Sequence, residues 1–173
     1  MNAREVAYAG IFIAFMAVSA QISVSLGPVP LTFQVFAVLL TGLLLGPRLG
    51  LLSVLSYDIA GAVGLPVFAG FSGGITHLYG PTGGYLLAFP IAAFLAGYIT
   101  EKSRESVLGM AIGSLAGITV IYLLGWLRLG LFMGGDFEKA FQLGVLLFVP
   151  LDILKAAIAV GIAKTVRRMI EVG

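Results

Sequence analysis

The sequence predicts an all-α integral membrane protein: a bundle of six transmembrane helices forming one domain over residues 1–173. Three observations predict it. The 173 residues are 60% hydrophobic and only 10% charged, with a mean hydropathy of +1.09, whereas a soluble domain carries about 25% charged residues. The apolar residues fall into segments near the length of about 20 that a helix needs to cross a bilayer. The basic residues alternate from one side of those segments to the other. Other classes are excluded on the same counts. A net charge of +2 with scattered basic residues does not suit nucleic acid. Without cysteine there is neither a disulfide framework nor a thiolate metal site, and a single histidine, His77, leaves little for metal or triad chemistry.

The spans are expected at 5–25, 31–46, 49–64, 83–100, 107–127 and 141–163. Arg4, the following apolar run and Val18-Ser19-Ala20 have the outline of a signal peptide. Glu5 is out of place in one, and the charge pattern requires this segment as a span. Pro28 and Pro30 separate the first two spans, and Gly46-Pro47-Arg48 separates the second from the third. The third is short and runs into Gly61, Gly64 and Pro66, as would a helix feeding a loop that dips back into the protein. A Gly- and Pro-rich run from Gly64 to Gly84 leads to the fourth.

Orientation follows from the ten basic residues. Arg4, Arg48, Lys102, Arg104, Lys164, Arg167 and Arg168 fall on one side, seven in all, against Arg128 and Lys139 on the other; Lys155 lies within a span. The richer side is cytoplasmic, so both termini are expected in the cytoplasm and the loops at 26–30, 65–82 and 128–140 outside.

Asp58, Asp152 and Lys155 are the ionisable residues within spans. Each costs roughly 2.5–3.5 kcal/mol at a helix centre, so each is expected to face the bundle interior. Asp152 and Lys155 are three residues apart and share a helix face. At about 1.5 Å per residue they lie roughly 16–21 Å from the outer start of the last span, near the middle of a core about 30 Å thick. Pro150, just before them, invites a kink and a local cavity. The pair either locks helices together or recognises a ligand. A carboxylate accepts N–H bonds and an ammonium donates to oxygen, so a cyclic urea would satisfy both. Asp58 either pairs with Lys155 or sits near the outer water.

The outer loop has no charged residue between Asp58 and Glu101, and a loop that apolar is expected to pack on the bundle. Thr82 is placed to cap the fourth span, with Gly83 and Gly84 leaving its first amides bare for an anion such as a carboxylate. Phe68 and Tyr85 offer flat apolar surface. In the first span, Ala3, Ala7, Gly10, Ala14 and Ala17 form a small-residue stripe, with Gln21 next on it. Such a stripe lets another helix approach closely, either within the bundle or from a separate membrane protein. The sequence holds no G-x-x-x-x-G-K-[ST] or H-E-x-x-H motif.

Five blocks in order, Gly27-Pro28-Val29-Pro30-Leu31-Thr32-Phe33-Gln34, Leu45-Gly46-Pro47-Arg48, Gly64-Leu65-Pro66-Val67-Phe68, Gly80-Pro81-Thr82-Gly83-Gly84-Tyr85 and Asp152-Ile153-Leu154-Lys155, resemble the BioY family. These are the biotin-binding S components of energy-coupling factor transporters. The resemblance implies a six-helix S-component fold in the cell membrane with an outward-facing biotin pocket, Asp152 and Lys155 facing the ureido ring, and the loop around Thr32 and Gln34 acting as a lid. It implies that Ala3, Ala7, Gly10 and Ala14 dock on a transmembrane coupling (T) protein, and that two cytoplasmic ATPases power the cycle. Biotin would be the transported substrate, with no cofactor and no enzymatic activity. The valerate carboxylate has candidate partners in the amides near Gly83 and Gly84, assisted by His77 or Tyr85. Asp58 stands where the resemblance implies an apolar residue. The alternatives are a solitary biotin transporter, an S component for another vitamin, an intramembrane enzyme or a structural membrane protein.

Overall fold

The computed structural model describes residues 2–172. Helix α1 (Ala3–Gln21) starts with a capping box: Asn2 Oδ1 accepts the Glu5 amide at 2.9 Å, and Glu5 Oε2 accepts the Asn2 amide at 2.8 Å. The first span was expected to continue to residue 25, but the helix stops at Gln21. Residues Ser23–Ser25 (β1) instead pair antiparallel with Pro30–Thr32 (β2), with Val24 opposite Leu31. Serines alternating with β-branched residues favour extended backbone over helix, and Gly27-Pro28 reverses the chain.

Helix α2 (Gln34–Ala62) is a hairpin of two arms. Gly46 breaks it at φ 76°, a conformation glycine adopts freely, and Pro47 restarts it. A methyl group placed on Gly50 would lie 3.1 Å from the Cα of Gly42; in a straight helix residues eight apart are about 12 Å apart. The arms, 34–45 and 47–62, are therefore the expected second and third spans. Among the described residues five helices are long and apolar enough to cross a membrane when α2 counts once, and six when its two arms count separately. Pro47 has no N–H to offer the Leu43 carbonyl. Arg167, near the other end of the chain, donates to that oxygen from Nε at 2.9 Å and also pairs with Glu105.

The outer loop contains one short helix, α3 (Thr76–Tyr79). Helix α4 (Gly83–Lys102) packs between the α2 hairpin and α5 (Val107–Phe132). Small residues set the close approaches: Gly42 meets the Ala93 backbone, Gly113 meets Ala96 and Gly117 meets Ala92. The last crossing is not one regular helix. It runs through α6 (Phe137–Phe141), a π-helical turn at Gln142–Leu146, and α7 (Val149–Val172). In a regular helix the ring of Pro150 would clash with the carbonyl four residues back. The wide turn just upstream relieves that clash, so the irregularity expected at Pro150 is a π-turn.

Helix α1 is the outlier in packing: 22% of its span is buried, against 67% for α4. Ala9, Met16, Ser19 and Ala20 face inward. Ala3, Ala7, Gly10 and Ala14 are exposed, and a side chain at Gly10 would meet nothing within 4 Å. These four positions do not pack within the bundle, whereas Ala17 of the same stripe is partly buried against the core.

Candidate functional site

Asp152 and Lys155 lie one turn apart on α7, 3% and 7% exposed. A buried pair is tolerated only when further hydrogen bonds compensate its lost hydration, and here they do. Lys155 Nζ donates to Asp152 Oδ1 at 2.8 Å and to the Thr32 carbonyl at 2.7 Å. The Tyr122 hydroxyl of α5 donates to Asp152 Oδ2 at 2.7 Å. Lys155 Nζ also lies 5.8 Å from the centroid of the Phe33 ring. The ion pair thus fastens the β-hairpin over the bundle.

Beneath the hairpin is a small cavity of about 50 Å³. Val35, Leu86, Phe89, Ile121 and Phe148 provide apolar wall; Thr32, Gln34, Thr82, Tyr85, Tyr122 and the ion pair provide polar groups. The Tyr85 hydroxyl donates to the Gly144 carbonyl in the π-turn at 2.8 Å, so that phenol orients the wall. A second, outer and larger chamber of about 400 Å³ shares Pro30, Gln34, Thr82 and Leu86 with the first and adds Phe68, Ser72 and His77. Phe68 and His77 meet edge to face at 5.5 Å.

Six of the expected residues therefore share one cavity: Asp152, Lys155, Tyr85, Thr82, Thr32 and Gln34. Phe68 and His77 belong to the outer chamber. Gly83 and Gly84 line neither chamber. A side chain at Gly83 would run into the Leu78 backbone and one at Gly84 into the Leu124 backbone, so these glycines let α4 pack closely on α3 and α5. The Gly83 amide donates to the Gly80 carbonyl and the Tyr85 amide to the Thr82 carbonyl, so these two are not bare, while the Gly84 amide between them makes no such bond among the described residues. Thr82 holds the cap position, but its side chain makes no capping bond and lies 3.4 Å from the His77 carbonyl.

Asp58 neither pairs with Lys155 nor joins the cavity. It borders an apolar groove between the second arm of α2 and α4, beside Leu55, Ile59, Leu87 and Ile91. Neither of its oxygens has a partner among the described residues. Gln21 is not part of the α1 stripe in function: its side chain donates to the Phe68 carbonyl at 3.1 Å and accepts the Phe71 amide at 2.8 Å, tying the outer loop to α1. Sequence reasoning missed Tyr122 and Tyr57. A tyrosine in mid-span, away from the interfacial belt where its ring usually sits, needs a partner for its hydroxyl, and that was the available signal. No cluster suited to a metal ion occurs among the described residues.

Comparison with known proteins gives a consistent picture. The sequence model of the BioY family matches residues 1–172. A probable biotin transporter BioY of Pyrococcus horikoshii is 59% identical over 164 residues, 95% of this chain and 96% of that one. The biotin transporter BioY of Thermotoga maritima is 43% identical over 166 residues, 96% of this chain and 97% of that one. The crystal structure of an S component for biotin from an ECF-type ABC transporter superposes with a TM-score of 0.90 at 27% identity, covering 97% of this chain and 95% of that chain.

Proposed function

The chain belongs to the BioY family, and from that premise we propose that it is the biotin-binding S component of an energy-coupling factor transporter, a transport subunit and not an enzyme. One observation carries the reading: a buried Asp152–Lys155 pair, held by Tyr122 and Thr32 with hydrogen-bonding capacity to spare, borders a partly apolar cavity beneath the hairpin.

The donor and acceptor inventory suits the ureido ring. Each oxygen of Asp152 accepts one hydrogen bond and keeps capacity for a ureido N–H. Lys155 uses two of its three donors on Asp152 and Thr32 and has the third for the ureido oxygen. The apolar wall suits the thiophane ring and the methylene chain. The chain would run past Thr82 to the outer chamber, where His77 and Thr82 would meet the carboxylate. Tyr85 would supply wall and an acceptor oxygen but no donor, since its hydroxyl proton is committed to Gly144.

Biotin would enter from the outer face, with the hairpin at Thr32 and Gln34 closing over it. Both termini would be cytoplasmic in the cell membrane. The exposed stripe of Ala3, Ala7, Gly10 and Ala14 would dock on the transmembrane coupling protein, and two cytoplasmic ATPases would drive the cycle. Calorimetric titration with biotin tests the core of this. Purified wild type is expected to bind, and Asp152→Asn to bind at least tenfold more weakly. No heat of binding with wild type sinks the function; equal affinity in the variant sinks the site.

A further inference from the structure

Tyr57 is fully buried and lines neither chamber, yet its hydroxyl decides which way a cavity residue points. Its oxygen is 2.8 Å from the Val67 carbonyl and 2.8 Å from the Gln34 side-chain amide. A carbonyl only accepts, so the single hydroxyl proton goes to Val67. Toward Gln34 the phenol oxygen can then only accept, and Gln34 must present its nitrogen, Nε2. A second contact agrees with this orientation without enforcing it, since a hydroxyl can donate or accept. Thr32 Oγ1 accepts the Gln34 backbone amide at 3.1 Å and gives its own proton to Gln34 Oε1 at 2.9 Å. The amide is held at both ends, and Tyr57 decides which end is nitrogen.

Nε2 carries two protons and only one goes to Tyr57; the other has no partner among the described residues. Gln34 borders both chambers. We propose that Tyr57 is a positioning residue that fixes the polarity of the Gln34 amide, so that the cavity presents an N–H there and selects a ligand with an acceptor oxygen at that place. A ligand donor at the same place would face a donor and leave both groups unsatisfied. This rests on the biotin reading and extends it. Biotin has acceptor oxygens at both ends, the ureido carbonyl and the carboxylate.

The test is a binding panel on purified protein with biotin, 2-iminobiotin (ureido oxygen replaced by a nitrogen donor) and a biotin analogue ending in a primary ammonium. Wild type should discriminate against both analogues. Tyr57→Phe should bind biotin roughly tenfold more weakly, the scale of one buried polar group losing its partner. Discrimination against one of the analogues should fall by a similar factor, because the freed amide can turn its oxygen to a donor. Which analogue responds tells which end of biotin meets Gln34. A purely structural role would lower all three affinities together, and unchanged ratios overturn the proposal. In a Gln34→Leu background, Tyr57→Phe should leave the ratios unmoved; a further shift there also overturns it. Failure of wild type to bind biotin overturns the functional reading first and this inference with it.

Discussion

Asp152 and Asp58 are equally hidden, 3% and 5% exposed, and both lie in helices that cross the membrane. Their surroundings differ completely. Asp152 has an ammonium on one oxygen and a phenol on the other. Asp58 has no partner on either oxygen among the described residues and borders a groove of leucine and isoleucine. Burial therefore does not mark the site in this chain. The candidate site is marked instead by a carboxylate whose donors are supplied on one side while a cavity lies on the other. Asp58 has no such donors among the described residues and faces only an apolar groove, so nothing about its position asks for a ligand of the kind proposed for Asp152.

The sharpest way to break this contrast is to remove one partner of the connected carboxylate. Lys155→Met leaves Asp152 buried with a phenol but no cation. Losing one member of a buried pair costs about 3–5 kcal/mol, so thermal unfolding in detergent should shift strongly downward and biotin binding should disappear. The double variant Asp152→Leu with Lys155→Met removes both charges and should recover most of the stability, because an apolar replacement of a whole pair is often neutral. Binding should stay lost. If the double variant is no more stable than the single, the pair holds the fold and the contrast with Asp58 is one of architecture alone.

A smaller change removes only the phenol. Tyr122→Phe keeps the ring and the ion pair but deletes the hydrogen bond to Asp152 Oδ2. Hydrogen bonds to charged groups are worth about 1.5–3 kcal/mol, so biotin affinity measured by calorimetry should fall by roughly tenfold or somewhat more. An unchanged affinity would mean that Asp152 needs only Lys155.

Parts of this contrast are legible in the sequence for a simple reason. Asp152 and Lys155 break an apolar run at a spacing that puts them on one face, and such breaks are costly in lipid. The break at Gly46-Pro47-Arg48 is equally plain, because no helix continues through that combination in a left-handed conformation. Tyr57 and Tyr122 are not legible as site-builders, since a tyrosine ring satisfies the hydrophobic pattern and only the fold shows what its hydroxyl meets. Residues Ser23–Ser25 read as the end of a span because their apolar members continue the preceding run; their pairing with Pro30–Thr32 depends on a partner strand too short to announce itself. Gly83 and Gly84 have the pattern of an exposed helix start. Their role is set instead by how near Leu78 and Leu124 come, a distance that no local pattern encodes. Asp58 shares its residue type and its burial with Asp152, so the two become separable only when neighbours are known.

The smallest effect is expected at Asp58, and it has the opposite sign. A polar group buried without a partner costs roughly 1–3 kcal/mol in protein interiors. Replacing Asp58 by leucine, which Leu55, Ile59 and Leu87 would surround with matching surface, removes that cost but asks the groove to take a slightly larger side chain. A net gain of about 1 kcal/mol is expected, which for a chain of this length raises the melting temperature by roughly 2–4 °C. Biotin affinity should not change, because Asp58 touches neither chamber. A fall in stability would show that the carboxylate has a partner that packing alone does not reveal. Weaker biotin binding would place Asp58 in the same functional unit as Asp152, and the two carboxylates would no longer be distinguished by the company they keep.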